Sequence, residues 1–259
     1  MSQSEEELVN IKLLVAYDGT NFHGLSPNPG VRTVVGEIMN LLEPYLGSFP
    51  QIVMSGRTDA GVHAWGQVLN FNVSSDKADL QRIQRIINNS LSPEVVVRQI
   101  CLESAEFSSR FDAVRRIYRY TVFNNPTANP FKSNTSWWVG RTINIANMNI
   151  AASHLVGTHD FSSFCRKPKN TLGPTDPSLV RKVEKALWSS ENDQDLIFEI
   201  SGSAFCHQMV RSIVGFLVAV GLSKREPDEI QNVLLAKDRS FAEQLAPPNG
   251  LVLWRVEYE

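Results

Sequence analysis

Apolar residues along this chain recur with strand or helix spacing in the order β-α-β-β-α-β, and the order then repeats without obvious sequence similarity between the halves. In the first half, a strand at Ile11–Tyr17 leads into a loop rich in Gly, Asn and Pro (Asp18–Gly30). A helix at Thr33–Leu46 follows, with Val34, Val35, Ile38, Leu41 and Leu42 along one side. Ile52-Val53-Met54 and the alternation of Trp65, Val68, Leu69, Phe71 and Val73 read as two strands. A helix capped by Asp79, with Leu80, Ile83, Ile86 and Ile87 turned inward, breaks at Pro93, and Glu94–Leu102 reads as a strand.

The second half has a strand at Arg116–Phe123, a helix at Asn147–Val156 and a strand pair at Val180–Ser189 and Leu196–Ser201. A long apolar helix at Phe205–Val220, a shorter one from Pro227 to Leu235 and a strand at Leu251–Glu257 complete it. Such halves predict an α+β protein whose mixed, mainly antiparallel sheet carries helices on one face, with a central cleft at the seam near residues 103–116. Residues 1–10 read as a disordered tail, and 11–105 and 106–259 as two halves of one continuous body. Residues 166–179 read as a mobile loop that breaks the second half.

Composition narrows the setting. The acidic N-terminus lacks the basic and apolar regions of a signal peptide, and no long apolar tract suggests a membrane span. Three widely spaced cysteines, Cys101, Cys165 and Cys206, argue for a reducing compartment and against a disulfide framework or cysteine zinc site. A cytosolic protein is expected. The net charge of −2 gives no global sign of a nucleic-acid binder. Basic residues are nevertheless clustered. Residues 110–119 hold Arg110, Arg115, Arg116 and Arg119 against Asp112, and residues 165–185 hold six basic residues against two acidic ones. A solvated face accounts for either cluster taken alone.

Chemistry concentrates in "SGRTDAGVH", residues 55–63, on a strand-to-strand connection where a scaffold can present a side chain. On the loop alone, a tight turn whose Asp bonds its own backbone fits as well. The apolar helix holds one cation, Arg211, which must snorkel to water or find an anion, and Asp59 is the attractive partner. His207, Gln208 and Arg211 would share one face of that helix. Tyr118 and Tyr120 alternate with Arg119 and face the opposite way. His63, His159 and His207 with Asp59 and Asp160 lack metal-ligand spacing, and no phosphate-binding Gly-rich loop occurs, so neither a metal nor a cofactor is expected.

Six stretches in order, "YDGTNFHG" (17–24), "GRTDAGVHA" (56–64), "RFDAVRRIYRY" (110–120), "GTHDFSSFC" (157–165), "HQMVRSIVG" (207–215) and "GLVLWRVEY" (250–258), closely resemble the tRNA pseudouridine synthase A family. The resemblance runs from about Ile11 to Tyr258. It implies two ferredoxin-like halves, a homodimer, tRNA as partner, no cofactor, and isomerisation of uridines on the 3′ side of the anticodon stem-loop, at tRNA positions 38, 39 and 40. It makes Asp59 the catalytic aspartate, with Arg57 as its companion and Arg211 as its partner. It also makes Tyr118 the residue stacked on the target base and Leu251 the apolar floor. Arg110, Arg116 and His63 complete the expected substrate-binding set. Leu25-Ser26-Pro27 departs from the family, which usually has an aromatic residue and then Gln or Ala there. The rival readings are an inactive RNA-binding protein of the same fold and a metal-dependent hydrolase.

Overall fold

A computed structural model of the chain describes residues 7–48, 50–166, 178–192 and 194–259. They form two compact units. One runs to Val114 and adds Val252–Glu259, and the other is Arg115–Leu251. The class is α+β, as the apolar pattern predicts.

The first unit runs β1 (Leu8–Tyr17), α1 (Val34–Leu46), β2 (Val53–Met54), β3 (His63–Ser74), α2 (Leu80–Leu91) and β4 (Val95–Glu103). Its sheet is ordered β4-β1-β3, with β1 antiparallel to both neighbours. β2 pairs with β3 at Leu69 and Asn70, while the last strand, β10 (Leu251–Tyr258), pairs with β3 in parallel at His63 and Ala64. Alternation along β1 buries Ile11, Leu13 and Val15, and α1 contributes Val34, Val35, Ile38 and Leu42 to the core. Both helix starts follow the sequence. Thr33 Oγ1 accepts from Gly36 N at 3.2 Å, and Asp79 Oδ1 accepts from Arg82 N at 2.9 Å. Two expectations need correction. β1 begins at Leu8, inside the expected tail, whose residues 1–6 lie outside the described residues. Val252–Glu259 group with the first unit rather than the second half, because β10 joins the β3 ladder.

The second unit contains β5 (Ala113–Phe123), β6 (Trp137–Trp138), α3 (Ile145–Ser153), β7 (Gly157–Asp160), β8 (Val180–Ser190), β9 (Asp195–Gly202), α4 (Met209–Gly221) and α5 (Glu229–Ala236). Its order is β5-β9-β8-β7, antiparallel throughout, with β6 added in parallel to β5. β6 and β7 escape the apolar pattern because they are two and four residues long and half-exposed. α4 is buried at every position except Arg211. It starts at Met209, four residues later than expected, because Gln208 takes a left-handed conformation (φ 64°). His207 and Gln208 therefore do not share a helical face with Arg211.

A further correction concerns the cysteines. Cys165 and Cys206 are joined as a disulfide, their Cα atoms 5.7 Å apart, and Cys101 is free and exposed. Distance in sequence hid the pair, since the two segments meet where Arg166 N donates to His207 O at 2.9 Å. The expected loop 166–179 falls mostly on residues 167–177, outside the described residues. Among the described residues, no helix is long and apolar enough to cross a membrane.

Gly215 shows how closely α4 is packed. A Cβ there would overlap the carbonyl of Gln244, a backbone atom that cannot swing away. In an open helix, Gly→Ala stabilises by about 1 kcal/mol. Here the sign reverses, and Gly215→Ala is expected to cost at least about 2 kcal/mol in urea unfolding.

Candidate active site

The loop between β2 and β3 is held from both sides. Ser55 N donates to Val68 O at 3.0 Å. Gln67, fully buried, accepts from Ser55 Oγ at 2.6 Å and donates from Nε2 to Gly56 O at 3.0 Å. At the centre, Thr58 is buried and its Oγ1 lies 2.7 Å from the Tyr17 hydroxyl. Burial pushes the Tyr17 pKa up to about 12, while bonds to Thr58 and Gln67 pull it the other way. The phenol therefore stays protonated at neutral pH. With Thr58 pinned inward, its neighbours Arg57 and Asp59 are exposed and half-buried.

The segment after β1 supplies the other clamp. Leu25 N donates to Thr58 O, and Gly61 N to Phe22 O, each at 3.3 Å. The approach is so close that a Cβ at Gly19 would overlap the Val62 carbonyl. One at Gly24, where φ is +97°, would lie 2.9 Å from Thr58 O. His63 is buried, with Nδ1 3.0 Å from Gly19 N and 3.1 Å from Asp18 Oδ1. A neutral Nδ1 accepts from Gly19, whereas a protonated one donates to Asp18. Burial works against the Asp18 carboxylate, but bonds from Thr20 and the nearby His63 hold its pKa below the ordinary value. Leu25, the first residue of the family departure, is fully buried.

Arg110 follows a second anchored turn. Ser109 N donates to Asn70 Oδ1 at 2.8 Å, and Ser109 O accepts from the Tyr258 hydroxyl at 2.7 Å. Beyond it, Arg110 is exposed, 5.2 Å from the Phe111 ring centroid.

Within the second unit, Tyr118 and Tyr120 point inward from β5, and Arg119 points away to Glu199 at 2.9 Å. Tyr118 is 7% exposed and meets Phe205 edge-on, with ring centroids 5.2 Å apart. Arg211 Nε donates to Ala246 O at 2.8 Å, and Ala246 N returns a bond to Arg211 O at 3.2 Å. The Tyr120 hydroxyl donates to Pro247 O at 2.8 Å, and burial raises its pKa despite the opposing Arg211 charge. Asn249 donates to Ser133 O and Ser136 O at 2.6 and 2.8 Å. Residues 246–250 are thus fixed up to Leu251, which is buried.

The expected basic stripe is largely paired internally. Arg115 pairs with Glu184, Arg119 and Lys185 share Glu199, and Arg116, only 9% exposed, donates to Ser203 O. Among the described residues, no group of three His, Cys, Asp or Glu side chains could hold a metal ion.

A family model described as tRNA pseudouridine synthase matches residues 13–112 and 151–259. The chain belongs to that family. It is 39% identical over 250 residues to a tRNA pseudouridine synthase A of Geobacillus kaustophilus (strain HTA426), covering 96% of this chain and 94% of that one. It is 37% identical over 253 residues to the tRNA pseudouridine synthase A of Bacillus subtilis (strain 168), covering 97% and 100%. Among solved structures, an archaeal box H/ACA sRNP Nop10–Cbf5 complex aligns at a TM-score of 0.36 and 11% identity. It covers 82% of this chain and 44% of that one, a likeness too distant to carry an argument.

In this pseudouridine synthase, an isomerase acting on tRNA, the first unit contains Arg57, Asp59, His63 and Arg110. The second carries Arg116, Tyr118 and Arg211 and ends at Leu251. Sequence reasoning passed over Tyr17, Gln67 and Asn70, whose one readable signal is a polar atom amid strand residues that are otherwise apolar. Tyr17→Phe removes the bond to Thr58 and leaves that hydroxyl buried without it. The expected cost is about 1–3 kcal/mol in chemical unfolding, with faster amide exchange confined to residues 55–62.

Proposed function

We propose that this tRNA pseudouridine synthase acts on uridines on the 3′ side of the anticodon stem-loop, with Asp59 as its catalytic carboxylate. The observation that supports this reading is the bracing of residues 55–63, which buries Thr58 and leaves the adjoining carboxylate presented on a rigid loop. The reaction breaks the bond between uracil N1 and C1′, turns the ring and joins C5 to C1′. The C5 proton is lost and N1 gains one. Redox state is unchanged and no group is donated, so the chemistry calls on an ionised carboxylate near C1′. That group serves either as nucleophile or as the base that removes the 2′ proton.

The uridine leaves its stack to react, and stacking on Tyr118 above Leu251 offsets part of that cost. Arg57 and Arg110 are exposed and suited to phosphates. His63 and Arg116 are buried and bonded within the protein, so their part is to position the Asp59 loop and β5. Arg211 is assigned as the cation answering Asp59 on charge chemistry, as the one charged residue of an otherwise apolar helix. A cytosolic homodimer belongs to the same reading.

Asp59→Asn keeps the side-chain shape and is expected to lower the single-turnover rate on a tRNA transcript by at least about three orders of magnitude. Transcript affinity should change by less than about threefold. Near wild-type turnover would falsify the assignment. The Arg211 pairing is read separately, from unfolding free energies of Asp59→Asn, Arg211→Met and the double variant. A pair in contact gives a coupling of about 0.5–3 kcal/mol, whereas strict additivity removes Arg211 from that role.

A further inference from the structure

The start of β3, just beyond the Asp59 loop, carries a side-chain stack that the isomerisation does not require. Trp65 and Trp254 lie with ring centroids 6.2 Å apart and planes inclined by 24°. The Arg98 guanidinium carbon sits 3.7 Å from the Trp65 ring centroid. Trp65 is 46% exposed on a strand whose other residues are mostly buried. The two rings are brought together by the parallel register Val252↔His63 and Leu253↔Ala64, which carries Trp254 alongside Trp65. Arg98 donates to Trp65 O at 2.8 Å and, among the described residues, has no carboxylate within ion-pair distance.

We propose that Trp65, Trp254 and Arg98 form a stacking platform for an unpaired nucleotide flanking the target uridine. The proposal rests on tRNA being the substrate and adds to that reading a second point of attachment. Trp65 stands six residues after Asp59, near the start of the strand that leaves the Asp59 loop. A base stacks on an indole whatever its identity, so the platform adds hold without sequence preference. The guanidinium now covering the ring is a replaceable lid. An entering base takes its place, and Arg98 turns to the phosphate of the same nucleotide. A planar, weakly hydrated cation suits both positions. The charge favours RNA over a second copy of this chain, because a protein surface closing here would bury a cation that has no carboxylate beside it among the described residues.

The test uses the full chain, with thermal melts to establish that each variant is folded. Affinity is measured for an unmodified tRNA transcript and for single-stranded oligouridylate. Trp65→Ala is expected to weaken both about tenfold, and Trp65→Phe to recover much of the loss. Arg98→Ala should lower the slope of log affinity against log salt by about one. RNA should quench tryptophan fluorescence less in Trp65→Phe than in the wild type. Unchanged affinity in a folded Trp65→Ala protein overturns the platform. So does a change confined to sedimentation, which would mark a contact between copies. Failure of the wild type to convert any transcript uridine would overturn the proposed reaction, while the affinity comparisons would still decide the platform.

Discussion

The candidate site depends on one buried hydrogen bond, between the Tyr17 hydroxyl and Thr58 Oγ1. It ties the end of β1 to the middle of the loop carrying Arg57 and Asp59, and everything around it reinforces the same joint. Gln67 fixes the start of the loop, and the 19–25 backbone fixes its end. Gly19 and Gly24 let the two backbones approach more closely than any side chain would permit. A loop braced this way is ordered before any ligand arrives, so less ordering remains for a binding step. The "YDGTNFHG" stretch thus has a physical role of its own. It is the buttress of the second motif.

Most of the fold was legible because its elements are long and strongly patterned. α1 and α2 announce themselves by apolar spacing and by Thr33 and Asp79 at their starts, and β8 and β9 by alternation. What stayed hidden depends on distant partners. Nothing near Leu251–Tyr258 says that this strand will join the β3 ladder, and nothing between Cys165 and Cys206 brings them together. The start of α4 was misplaced because a left-handed Gln208 is not the residue that usually marks such a bend. For the site, sequence supplied the ionisable chemistry at Asp59 and Arg57 but not the buried scaffolding, since Gln67 and Asn70 look like interruptions until their hydrogen-bond partners are seen.

Charge gives the sharpest difference between composition and structure. The 110–119 run reads as a basic stripe, yet Arg115, Arg116 and Arg119 all find partners inside the protein. Glu184 and Glu199 lie on the neighbouring strands β8 and β9, invisible to a count along the run. The run therefore carries less uncompensated charge than a count along the sequence implies.

The membership of β10 in the first unit bears on how the protein is made. A ribosome completes β1 to β4 early, but the edge of β3 at His63 and Ala64 stays open until the whole second unit has been synthesised. Until Val252 and Leu253 arrive, the nascent first unit presents an unfilled strand edge immediately beside its most chemically loaded loop. The β3 ladder at His63 and Ala64 is therefore completed only when Val252 and Leu253 have been made, although the braces of the Asp59 loop at Tyr17, Gln67 and residues 19–25 can form long before.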